Sequence, residues 1–155
     1  MIPPFDLATG NLPPGVHVAL WAEVVGRFGH TTRRLALLAG LKAGLDALRA
    51  AGCRRAYLDG SFVTAKEAHF NAPPGDFDAC WETAGVDFPA LALAAPELFD
   101  FRAGRPGQKA RFGGEFFPAE IPADAAGALF LDYFQRDKRT GDPKGIVAID
   151  LEGLP

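Results

Sequence analysis

The chain has 155 residues, 48% of them hydrophobic and 23% charged, the balance of one folded domain with room for a single layered core. That excludes a disordered tail, a collagen-like fibre and a coiled coil. The net charge of −3 lacks the positive excess with which proteins grip nucleic-acid backbones, although a local basic patch stays open, and no apolar run is long enough to span a membrane.

In chain order, Met1 to Asp6 shows neither a basic leader nor an apolar secretory stretch, so a cytoplasmic protein is expected. Residues 1–16 carry Pro3, Pro4, Pro13 and Pro14, each fixing φ and removing a donor. They are expected to form an extended arm lying against the domain, outside its sheet, with residues 17–155 as one domain. Apolar residues from Val18 to Phe28 recur at helical spacing and stop at Gly29. The next helix is capped by Thr31 or Thr32, carries a stripe of Leu35, Leu38, Leu41, Leu45 and Leu48, and ends at Gly52.

Short strands are expected at residues 54–59 and 76–82, separated by a turn or short helix and a Pro-rich loop at 71–75. A helix interrupted near Pro96, a loop at 102–107 and a strand over 109–117 follow. Ala123 to Gln135 predicts a further helix, Thr140 to Pro143 a turn, and Gly145 to Leu151 a final strand. The order of elements indicates an α+β fold, an α/β sandwich with a small mixed sheet packed by helices. Cys53 and Cys80 lie 27 residues apart with no CxxC pair, which suits two buried reduced thiols.

The chemistry-bearing stretch is Leu58-Asp59-Gly60-Ser61 through Lys66, followed by Asp76-Phe77-Asp78. A strand ending in Gly-Ser lets backbone N–H groups and a hydroxyl approach a ligand, because glycine has no Cβ in the way. Lys66 stands five residues on, able to meet an anion. Period-2 geometry sends Asp76 and Asp78 to one face of a strand. Two adjacent carboxylates repel unless something neutralises them, and hard oxygen donors favour Mg²⁺ or Mn²⁺. Asp-x-Asp by itself is more often a solvated pair, and Gly-Ser an ordinary turn; their succession is what carries information.

Gly60-Ser61 followed by Asp76-x-Asp78 resembles the signature of the nucleotidyltransferase superfamily. The run of IPPF, LPPG, RFG, LDGSFVTAK, the Asp-x-Asp strand, GGEFFPAE, FQRD and PKGIVAIDL is similar, over nearly the whole chain, to a family of small bacterial proteins of unknown function, the DUF6932 type. The resemblance implies a nucleotidyltransferase-like fold and Mg²⁺-dependent transfer of a nucleotidyl group from an NTP to a protein or RNA hydroxyl, in some such proteins within toxin–antitoxin or phage-defence systems. It implies Asp76 and Asp78 as catalytic metal ligands, and Gly60, Ser61 and Lys66 as the nucleotide-binding group. A third carboxylate is implied on a neighbouring strand: Glu115 is the first choice and Asp150 the alternative. The chain departs from the superfamily pattern in the 14 residues between Ser61 and Asp76, and in a Glu where an Asp is usual.

Other chemistry fares worse. His17, His30 and His69 form no zinc motif, and the turn at Ser61 is no GxSxG elbow. Arg136, Lys138, Arg139 and Lys144 form a basic cluster, either a solvated hairpin tip or a contact for phosphate or a nucleic-acid backbone. The competing function is an inactive nucleotidyltransferase-fold module acting through a protein partner or a homodimer, with an exposed apolar patch as its surface. The position of the third carboxylate discriminates the two.

Overall fold

A computed structural model describes all 155 residues. Five strands, β1 (Gly15–Ala19), β2 (Arg55–Asp59), β3 (Asp78–Trp81), β4 (Glu115–Pro118) and β5 (Gly145–Asp150), form one mixed sheet in the order β1-β5-β2-β3-β4. The outer pairs β1·β5 and β3·β4 are parallel, and β2 runs antiparallel to both its neighbours. The helices are α1 (Trp21–Phe28), α2 (Thr32–Ala50), α3 (Lys66–Phe70), α4 (Phe88–Ala94), α5 (Pro106–Phe112) and the single turn α6 (Phe130–Tyr133). The fold is a mixed α+β architecture. No helix is long and apolar enough to cross a membrane.

The sheet has two unequal faces. Leu58, Ala79, Trp81, Phe116, Val147 and Ile149 point into the main core with the leucines of α2 and with Val24, Phe28, Leu91 and Phe112. The alternate positions Tyr57, Cys80, Phe117, Ile146 and Ala148 meet Phe134, Phe130 and Leu131 in a smaller second core. Both thiols are free and buried.

α2 starts where expected: Thr31 accepts the N–H of Arg34, and Gly52 follows the helix end at φ +97°. Leu37, not Leu35, completes its buried stripe, and Leu35 is half exposed. Gly40 and Gly44 let α2 approach α5 and β4 closely, since a Cβ at Gly40 would overlap the Phe112 carbonyl and one at Gly44 the Phe116 ring.

The structure corrects four expectations. The helix expected from Val18 begins at Trp21, because 15–19 pairs with β5. For the same reason Gly15 and Val16 are sheet, so the arm joins the sheet before residue 16. The strand expected over 109–117 is a helix to Phe112, started by Pro106 and stopped by Gly113 at φ +80°, with strand only from Glu115. Of the helix expected over 123–135, only 130–133 forms. Asp124 instead accepts the N–H groups of Ala126 and Ala128 in a turn, and the apolar spacing of Leu131 and Phe134 serves the second sheet face.

Candidate functional site

Strand register brings the carboxylates together. Asp59 ends β2 opposite Asp78, and Asp78 lies beside Glu115 at the start of β4. The alternation that sends Tyr57, Cys80 and Phe117 into the second core sends Asp59, Asp78 and Glu115 to the same face. Three acids thus stand in a row across three neighbouring strands. Asp76 precedes β3 on the loop, and a cavity of about 510 Å³ opens in front of Asp76, Asp78 and Glu115, with Asp59 buried behind them. Gly60, Ser61, Lys66, Asp76, Asp78 and Glu115 all line this cavity, together with Lys109, Arg136, Lys138, Arg139 and Lys144. The basic cluster noted in the sequence is therefore one wall of it. The arm contributes Asn11.

Asp150 is not brought there. It pairs with Arg55 at the far end of the sheet, and its carboxylate accepts the Glu152 N–H at 3.0 Å to cap the last turn of the chain.

Gly60 answers two demands. Its φ is +74°, and a Cβ there would overlap Asp78 Oδ2. The Gly-Ser turn is thus in contact with the Asp-x-Asp strand. Gly60→Ala is expected to destabilise the fold by about 1–3 kcal/mol, read as a lower melting temperature.

The loop from Gly60 to Thr64 is held by Arg34, whose side chain is fully buried. Its guanidinium donates to the Phe62 carbonyl at 2.6 Å and the Thr64 carbonyl at 3.0 Å, and forms a two-point pair with Glu67 at 2.7 and 2.9 Å. Arg33, its neighbour on α2, donates to the carbonyls of Pro74 and Gly75 just before Asp76.

Charge in the row is unevenly compensated. Lys109 Nζ lies 3.3 Å from Asp76 and 3.0 Å from Glu115. Asp78 has no ion pair. Burial raises its carboxyl to about 6, and the neighbouring Asp76 adds repulsion. Asp59 is fully buried, with Oδ1 unpartnered and Oδ2 accepting only the Cys80 thiol at 3.5 Å. Burial first, and Asp78 second, push its carboxyl well above the usual carboxylate range. Lys144 faces this pair from just before β5; its own burial lowers it from the ordinary lysine value while Asp59 and Asp137 oppose that.

The sequence analysis did not single out Asp59, Lys109, Arg33 or Arg34. Asp59 had one usable signal, its place two residues after the inward-facing Tyr57 and directly before Gly60. Lys109 has none, since the sequence around it leads to the expectation of a strand and the structure places it on α5.

The donor set suits a hard divalent cation, because Asp76, Asp78 and Glu115 offer only carboxylate oxygens and Asp78 lacks a counter-charge. These groups do not converge as a ready three-ligand cluster; the Lys109 ammonium stands between two of them. Holding a cation there requires that ammonium to move aside. Comparison with curated proteins and with solved structures gives no match. Residues 3–150 match the family of unknown function DUF6932, to which the chain belongs.

Proposed function

We propose that the protein is a metal-dependent nucleotidyltransferase, moving a nucleotidyl group from an NTP to a hydroxyl. The observation that carries this reading is the meeting of the Gly60-Ser61 turn, Asp76, Asp78, Glu115 and a wall of lysines and arginines in one cavity. An acidic row facing a basic wall is what a metal-bound triphosphate needs: carboxylates toward the cation, ammonium and guanidinium groups toward the phosphate oxygens.

Asp76, Asp78 and Glu115 would hold the divalent cation, which when bound neutralises the triphosphate and stabilises charge developing on the attacking and leaving oxygens. The turn at Gly60 and Ser61 offers its backbone and hydroxyl to phosphate oxygens. Lys66 makes no ion pair within the protein and is free to meet the terminal phosphates. Lys109, released from Asp76 and Glu115, can follow the charge onto the phosphate. Transfer joins the acceptor oxygen to the α-phosphorus as the bond from that phosphorus to the bridging oxygen breaks, with pyrophosphate leaving and the hydroxyl proton passing to water. Asp78 and Glu115, adjacent across β3 and β4, orient that centre.

The test is thermal stability with each NTP, in Mg²⁺ and in EDTA, for the wild type and for Asp76→Asn/Asp78→Asn. A nucleotide at about 100 times its Kd stabilises by about 2.7 kcal/mol, roughly 5–10 °C for a chain of this size. The shift is expected only with Mg²⁺ and only in the wild type. No shift with any nucleotide would favour the second reading, an inactive module acting through a partner. The observation on that side is Lys109, which already neutralises two of the three carboxylates.

A further inference from the structure

The cavity is polar throughout except for two phenylalanines. Phe134 is 3% exposed and packed against Phe117 at 4.9 Å between ring centroids, so its surface is spent in the second core. Phe70 is different. It ends α3, is 48% exposed and belongs to neither hydrophobic core. Its ring is the cavity's open aromatic surface.

Arg139 backs that ring from one face. Its guanidinium carbon lies 4.6 Å from the Phe70 ring centroid. The guanidinium does not wander, because Asp137 accepts from its Nε at 3.1 Å and its Nη2 at 2.7 Å. Asp137 is in turn fixed by the Asn11 amide at 2.8 Å and by the Arg139 backbone N–H at 2.8 Å. A half-exposed phenyl ring thus carries a pre-oriented planar cation over one of its faces, on the wall of a cavity whose floor is acidic and whose remaining rim is basic.

We propose that this ring is the nucleobase platform: the base of the bound NTP stacks on the Phe70 ring, on the face opposite the Arg139 guanidinium, while its triphosphate reaches the carboxylate row. The inference rests on the nucleotide reading above and assigns its base-binding surface. Stacking on an aromatic face is open to every base, since each has a π-face. The platform carries no hydrogen-bonding code of its own, so it predicts a site that prefers larger bases over smaller ones without strict selection.

The experiment is calorimetric titration of the full chain in Mg²⁺ with ATP, CTP and inorganic tripolyphosphate, for the wild type, Phe70→Ala and Phe70→Tyr. Phe70→Ala is expected to weaken ATP about tenfold or more, CTP less, and tripolyphosphate less than twofold. Phe70→Tyr, which keeps the ring, restores nucleotide binding. The melting temperature of the free protein is expected to fall by no more than a few degrees in Phe70→Ala and to hold in Phe70→Tyr, because the ring packs in neither core and the alanine gives up its contact with Arg139. Equal weakening of ATP and tripolyphosphate in Phe70→Ala, or no weakening of either, overturns the platform and leaves the nucleotide site standing. Wild-type protein that binds none of the three overturns the nucleotide reading and the platform with it.

Discussion

Asp78→Asn is expected to abolish transfer and, in metal-free buffer, to raise the melting temperature. On the proposed reading, losing a metal-holding carboxylate removes several kcal/mol of transition-state stabilisation, about a thousandfold in rate or more. The opposite effect on stability follows from the geometry. Asp78 is packed against Gly60, stands across from Asp59, whose Oδ1 has no partner, and is flanked by Asp76 and Glu115 with no ion pair of its own. An amide of the same shape keeps the packing and removes the repulsion. With the carboxyl displaced to about 6, the gain at neutral pH is on the order of 2–3 kcal/mol. Melting curves of both proteins in EDTA, and again with Mg²⁺ and an NTP, check this. The variant melts higher in the first condition, and the wild type recovers the difference in the second.

The pH dependence has a definite sign. Asp78 and Asp59 have carboxyls raised above their unfolded values. Such groups favour the native state fully below the unfolded pKa, and that contribution is lost as pH rises through the folded one. For Asp78 the loss spans about pH 4 to 6 and above, and Asp78→Asn removes that group's share. Asp137 works in the other direction and in another window. The Arg139 guanidinium holds its carboxyl well below the usual range, so its contribution is present above the unfolded pKa and lost only in strong acid. Metal-free wild type therefore loses stability between mild acid and neutrality, and Asp78→Asn loses less.

Much of the candidate site is local enough to be legible in the sequence. Gly60-Ser61 and Asp76-x-Asp78 are short motifs at strand ends, and Glu115 follows from its place between apolar residues on the next strand. What escaped depends on pairing between distant segments. Nothing near Asp59 says that it faces Asp78, because register is set by the whole sheet. Lys109 reaches Asp76 and Glu115 only because Pro106 and Gly113 bracket a helix where the sequence led to the expectation of a strand. The apolar residues after Ala123 do cover a hydrophobic surface, but they do so from a turn and one helical turn, since Asp124 takes the backbone donors a longer helix would have used.

Arg34→Met is expected to destabilise the fold by about 3–5 kcal/mol, or roughly 10 °C in melting temperature. The guanidinium is wholly inside the protein and satisfies two loop carbonyls and both oxygens of Glu67. Methionine fills much of the volume but leaves those carbonyls without donors and Glu67 without its counter-ion. Arg34→Lys keeps the charge on one point and cannot span a carboxylate and two carbonyls at once, so it falls between the two. The second readout is functional: Arg34→Lys, still folded at 25 °C, weakens Mg²⁺-dependent nucleotide binding, because Arg34 sets the path of the Gly60–Thr64 loop without facing the cavity. A lysine variant that loses stability yet binds as tightly as wild type would make Arg34 a structural residue only. The sequence did hold a signal. Arg33 and Arg34 lie in the first turn of α2, which has no acidic residue there, at the helix end whose dipole disfavours cations. Two arginines placed against the dipole are there for other partners: one grips the loop after β2, the other the loop before β3, and one helix end thereby sets both halves of the site.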